Sequence, residues 1–342
     1  MKNLILKGLL CLSFVACNTN SNKTTTSSEA AVTDTIAFAT LLDNYYEEGL
    51  KLNPLNATMA GDTRYNNRFP DVLSDSYKQR LKTYYNSYKT ALSKYPDDIL
   101  SKSEQMSKAV LSWDCDVNLE LMRFKKDLMP IDQMWSPHLM IGQLASGASA
   151  QPFRTTQDYR NWQERVDEYL IWLNSAELNM RKGMKEGYVL PKSLIKKVIP
   201  QLDALAQKDL DNHLFYGPIK NFSEEIPQEE RERITKAYRE MISTKVIPAY
   251  AKLRDFMATE YMEAGRETSG YDALPDGDEY YNFAIKYYTT TNMTADAIHQ
   301  LGLDEVARIR KEMEKVKTEV GYQGDLKSFF DYVRNNKDLM PF

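Results

Sequence analysis

Seven apolar residues, Tyr159, Trp162, Val166, Tyr169, Leu173, Ala176 and Met180, follow one another at steps of three and four. That spacing returns each side chain to one side of a helix, so the run defines a packing seam that only a helical fold can bury. Thr155-x-x-Asp158 stands just ahead of it as a capping box of the acidic kind, in which each side chain answers the other's backbone N–H. Strict alternation of three and four can mark a coiled coil. Only about three heptads are present, so the segment reads as one helix of a bundle.

Other segments repeat the pattern. Ile36, Phe38, Leu41, Leu42, Tyr45 and Leu50 predict a first helix over 34–52, stopped before Pro54. Residues 60–70 form a turn-rich link. Tyr77, Leu81, Tyr84, Tyr88 and Leu92 predict a helix over 74–95; Met106, Val110, Trp113, Val117 and Leu121 predict another over 103–124. Residues 128–155 are rich in Pro, Gly, Ser and Ala and read as a long loop, with His138 as a hydrogen-bonded structural histidine. A helix follows over 192–207, disturbed by Pro200, and 208–226 is loop-like. The longest helix is predicted from Pro227 to about Ala264, kinked by Pro248 and stopped at Gly265. Leu326, Phe329, Phe330 and Val333 mark a last short helix. No segment sustains period-two alternation, and no internal repeat is evident. The fold class is therefore all-α, a multi-helix irregular bundle.

Residues 275–320 read as two helices joined by a Thr-rich corner. Pro275, Asp276 and Gly277 make a turn, and a helix follows with Tyr281, Ala284, Ile285 and Tyr288 on one face. Thr289 to Thr291 end it, and Thr294 caps the next helix with Asp296 in its first turn. There Ile298, Gly302, Ile309, Met313, Val316 and Val320 share one stripe, with Val306 at its edge. Glu305 intrudes into the stripe and His299 borders it. A carboxylate in such a place asks for a partner, either an Arg or Lys of a neighbouring helix or the polar wall of a cleft. The tyrosines Tyr280, Tyr281, Tyr287 and Tyr288 could donate hydrogen bonds to a substrate or pack at a core edge. The candidate cleft-lining residues are thus Tyr281, Tyr287, Tyr288, His299 and Glu305.

The first residues carry an export pattern. Lys2 and Lys7 precede an apolar stretch from Leu9 to Val15 that ends at Val15-Ala16-Cys17, as at a bacterial lipoprotein processing site. Phe14 stands where the strict pattern prefers Leu, and an ordinary secretory signal or a short core segment are the alternatives. On the lipoprotein reading, residues 1–17 are a signal peptide ending at a lipidated Cys17, and 18–33 form a disordered polar tether. The helical domain then occupies 34–342. Cys11 leaves with the signal and Cys17 is acylated, so Cys115 is the one remaining thiol and reads as a small buried hydrophobe. The expected partner is the membrane, through the lipid anchor, on the periplasmic or cell-surface side of a bacterial envelope. A net charge of -4 gives no reason to expect nucleic acid.

Leu274-Pro-Asp-Gly-x-x-Tyr-Tyr, then Tyr287-Tyr-Thr-Thr-Thr, then Ile298-His-x-Leu-Gly-Leu-x-Glu-Val-Ala-Arg-Ile resemble the domain-of-unknown-function family 885. The likeness extends over nearly all of residues 35–342 and includes Ala60-Gly-Asp-Thr-Arg-Tyr. The resemblance implies a bacterial, often lipid-anchored, mostly helical protein similar to zinc metallopeptidases, with zinc as the cofactor of the full-length family and peptides as substrates.

The catalytic signature of that class is not in the chain. H-E-x-x-H puts two His on one helical face with a Glu as general base, but His138, His213 and His299 stand far apart and none precedes a Glu. No G-x-S-x-G elbow or phosphate-cradling loop occurs. The chain therefore carries no expected catalytic or metal residues of its own. It ends at Leu339-Met-Pro-Phe342, and we read it as the N-terminal portion of a longer protein. Two functions follow as expectations: a peptidase-like exported lipoprotein without its catalytic half, or a non-catalytic helical lipoprotein that binds peptides or a protein partner.

Overall fold

The structure, a computed structural model, describes residues 28–340. The signal segment, Cys17 and residues 18–27 of the predicted tether lie outside the described residues. Its helices run in the order α1 Ser28–Leu52, α2 Pro54–Met59, α3 Asp75–Leu92, α4 Lys102–Leu121, α5 Pro137–Ala145, α6 Thr156–Glu186 and α7 Lys192–Leu205. They continue with α8 Gly217–Lys220, α9 Gln228–Met241, α10 Ile247–Phe256, α11 Met262–Ala264, α12 Gly277–Thr289, α13 Ala295–Glu319 and α14 Leu326–Asn335. Among the described residues there is no strand, only an isolated bridge joining Pro191 and Arg266. The fold is an all-α bundle.

Helix α6 is its axis. Thr155 and Asp158 form the capping box at its start, and Gly187 ends it in the left-handed conformation at φ 83°. All seven seam residues are buried, and α9 and α10 pack along them. Each large apolar side chain so buried stabilises the fold by about 1.5–3 kcal/mol. Tyr169 and Tyr250 join hydroxyls across the α6–α10 contact at 2.9 Å, which satisfies two polar atoms that burial would otherwise penalise.

A charge sits inside this core. Arg165 of α6 is fully buried and reaches no carboxylate. Its Nε donates to the Arg68 carbonyl at 3.1 Å, its Nη1 to Gln151 Oε1 at 2.6 Å, and its Nη2 to Thr58 Oγ1 at 2.9 Å and the Tyr65 carbonyl at 2.6 Å. One guanidinium thus ties α2, the 60–70 link and the loop after α5 to the central helix. Burial pulls its pKa down to about 10, with Glu168 nearby opposing the shift, so it stays cationic at neutral pH.

Several boundaries differ from the sequence expectation. Helix α1 begins at Ser28, so residues 28–33 belong to a helix rather than to the tether. The stretch 128–155 holds α5: Pro137 sits in its first turn, where a missing N–H costs nothing, and Ile141, Leu144 and Ala145 are buried. The loop-like stretch 208–226 holds the short α8. Pro200 is accommodated within α7, which runs unbroken. Pro248 is taken up by a widened π turn over Ile242–Val246, immediately N-terminal to α10. There the hydroxyls of Ser243 and Thr244 donate to the carbonyls of Arg239 and Glu240, both at 2.7 Å.

A second cluster joins α1, α3 and α4 through Phe38, Tyr84, Tyr85, Tyr88 and Cys115. Tyr45 stacks on Tyr84 at 5.0 Å and donates to Asp114. Cys115 is fully buried, and burial pushes its thiol up to about 12, which leaves it an unreactive core residue. The third cluster, Val117 with Tyr280 and Phe283, carries α12 on α4.

Candidate functional site

The aromatic face of α12 is positioned from both ends. At its start, Gly277 lies so close to the preceding turn that a Cβ there would meet the Tyr271 carbonyl oxygen at 1.7 Å. Only glycine allows that approach, which also sets Tyr271 against Tyr280 with ring centres 4.9 Å apart and planes tilted by 43°. Further along, Lys286 Nζ pairs with Glu120 of α4 at 2.6 Å. Thr290 ends the helix at φ 56°, an uncommon conformation for a β-branched residue. Thr291 Oγ1, which contacts Thr289 Oγ1 at 2.9 Å, accepts the Met293 N–H at 3.3 Å and helps hold this corner.

Between α4 and α12 lies a cavity of about 110 Å³, lined by Leu121, Lys126, Tyr280, Phe283, Ala284, Tyr287 and Tyr288. Lys126 Nζ donates to Tyr280 Oη at 2.7 Å and lies 4.8 Å from that ring's centre. A cationic donor among aromatic rings suits a small anionic group such as a carboxylate. The volume is well below the several hundred Å³ that encloses a whole small-molecule ligand.

The predicted cleft-lining residues divide. Tyr287 and Tyr288 line the cavity, with Tyr287 half-buried against Trp113 and Tyr288 79% exposed. Tyr281 points away from it and is 51% exposed, because Tyr280 and Phe283, not Tyr281 and Ile285, face α4. His299 is exposed on α13. Glu305 is neither buried nor paired across helices: Arg308, one turn along the same helix, holds it at 2.8 Å and keeps its carboxyl below the usual range. The structure therefore does not bring His299 and Glu305 to the tyrosine cavity. Lys126 and Phe283 were missed, although aromatics at 280, 281, 283, 287 and 288 signal that more than one face of α12 is apolar.

The remaining histidines are committed to structure. His213 Nε2 donates to the Leu205 carbonyl at 3.1 Å while its Nδ1 accepts the Phe215 N–H at 3.2 Å, which fixes the neutral tautomer. His138 Nε2 contacts Gln201 Oε1 at 3.2 Å; Gln201 donates its own amide to the Gln133 carbonyl, so His138 is the donor. Among the described residues, no three His, Cys, Asp or Glu side chains converge as a metal-binding group.

Burial lowers the pKa of both His138 and His213, with the hydrogen bonds to Gln201 and Leu205 opposing it. A folded-state pKa below the unfolded one means that folding prefers neutral imidazole. The stability is full above about pH 6.5 and falls as pH drops through that unfolded value, by at most about 1.4 kcal/mol per pH unit for each histidine. Thermal unfolding measured between pH 7.5 and 5 should show a falling Tm, above the range where carboxylates contribute. His213→Asn should flatten that slope. A Tm independent of pH in this window would contradict the assignment.

The family model of a bacterial protein of unknown function, DUF885, matches residues 54–341. The chain belongs to DUF885. That match includes the Arg165 hub, the α4–α12 cavity and the whole of α13 and α14. No curated protein matches the chain. Among solved structures, the DUF885 chain is similar to one described as "the putative lipoprotein from Colwellia psychrerythraea", with a TM-score of 0.69 and 17% identity. The match covers 88% of this chain and 54% of that one, so the chain spans about half the length of that protein. At this identity the likeness shows the fold. Among the described residues, no helix is long and apolar enough to cross a membrane.

Proposed function

We propose that this DUF885 chain is the N-terminal helical scaffold of an exported, lipid-anchored protein of the zinc-metallopeptidase type. In this reading it supplies one wall of a peptide-binding cleft, and the metal and general base come from polypeptide beyond these residues. Export and anchoring rest on the signal pattern ending at Cys17, and the described lipoprotein of similar fold supports them. The observation that carries the reading is the α4–α12 wall: Lys126, Tyr280, Tyr287 and Tyr288 line a cavity, while the histidines of the chain are either engaged in the core or exposed alone. A peptide would set a carboxylate against Lys126 and apolar groups on Phe283 and Tyr287. Such a wall binds and orients, and it holds no nucleophile of its own.

Hydrolysis of a mixed peptide library in the presence of zinc tests this. Residues 18–342 alone should cleave nothing. The same chain continued through its downstream reading frame should cleave peptides, and Lys126→Ala should weaken that activity through KM. Cleavage by residues 18–342 alone would overturn the division of labour. Peptide binding without cleavage by the continued chain would instead favour a non-catalytic binding lipoprotein.

A further inference from the structure

Helix α13 runs for 25 residues and buries none of its side chains. Val306, Ile309, Met313, Val316 and Val320 share a face and are between 39 and 67% exposed. Three ion pairs, Glu305–Arg308, Glu314–Lys317 and Lys315–Glu319, lie within the same helix. The adjoining α14 packs on α13, yet leaves Phe330, Tyr332 and Val333 about 40% exposed. A helix that pairs charges within itself and turns a stripe of large apolar groups to solvent is built to be covered.

We propose that this face is an intramolecular packing surface, covered in the whole protein by helical polypeptide that follows Phe342. The proposal rests on the reading of the chain as part of a longer protein. Three observations select this occupant. The family match includes all of α13 and α14, so the hairpin is part of the family's common fold and not an appended tail. The Colwellia protein has the same fold over only 54% of its chain, which leaves a large further body of polypeptide to be packed somewhere. Helix α13 carries six acidic and five basic side chains, so it lacks the cationic face with which a helix settles on an anionic membrane. The covering polypeptide would present an amphipathic helix with Leu, Ile or Phe at helical spacing, and it would extend the wall begun by α12.

Hydrogen exchange tests the proposal. In residues 18–342 the amides of α13 should exchange at least tenfold faster than those of α6, and the chain should be a monomer. In the protein continued through its downstream reading frame, the α13 amides should be protected. The double variant Ile309→Glu with Met313→Glu should leave the unfolding midpoint of residues 18–342 unchanged but abolish that protection. A stop codon directly after Phe342, or α13 amides equally unprotected in the continued protein, would overturn the proposal. A dimer of residues 18–342 that the double variant dissociates would overturn it in favour of a second copy as the occupant. Protection of α13 without peptide cleavage would sink only the peptidase reading, and cleavage with α13 unprotected would sink only this one.

Discussion

Arg165→Met should lower the unfolding free energy by about 3 kcal/mol, read as a shift of the urea midpoint at constant slope. Methionine fills a similar volume, so lost packing contributes little. The loss comes from the buried Gln151 and Thr58 and the partly buried carbonyls of Arg68 and Tyr65, which are left without this donor. Arg165→Lys should recover only part of it, because a single ammonium cannot reach four acceptors arranged for a planar fork. Trp162 and Trp172 on the same helix give a fluorescence signal for the transition. A midpoint shift worth less than about 1 kcal/mol would show that the acceptors find water instead.

Gly277→Ala should cost about 1–3 kcal/mol and should do so by moving α12. The added Cβ would meet the Tyr271 carbonyl at 1.7 Å and the Asp272 Cα at 3.1 Å, both backbone atoms that cannot rotate aside. Either the Tyr271–Ala273 turn or the first turn of α12 has to shift. Tyr280 would then lose its place against Tyr271 and its bond from Lys126. Hydrogen exchange over residues 277–289 should rise while that of α6 is unchanged. Equal exchange in α12 of the variant would contradict the close-approach argument.

How much of this was legible in the sequence depends on whether a feature is local. The α6 seam, its capping box, the Thr294 cap and the order of the long helices are written in spacing and cap chemistry, and the structure carries them. Helix α5 was hidden because Pro137 and the Gly and Ser residues after it resemble loop composition, while its burial comes from partners far away in the chain. The orientation of α12 could not be read, since tyrosines stand at 280, 281, 287 and 288 and periodicity then admits two faces. Arg165 lies between Trp162 and Val166 inside the clearest seam. Its role depends on backbone carbonyls about a hundred residues earlier, which no local pattern announces. The α13 stripe was plain as a stripe; whether anything covers it is a property of the fold and not of the helix. Glu305 shows the limit in the other direction, for a partner three residues away answers the charge that seemed to demand a distant one.

On the proposed reading, residues 18–342 provide scaffold and cleft wall but no metal centre. Elemental analysis of this purified polypeptide, after equilibration with equimolar zinc and gel filtration, tests it most directly. Far less than one zinc per chain is expected, with no change on replacing His138, His213 or His299. One tightly held zinc per chain, lost when one of those histidines is replaced, would contradict it.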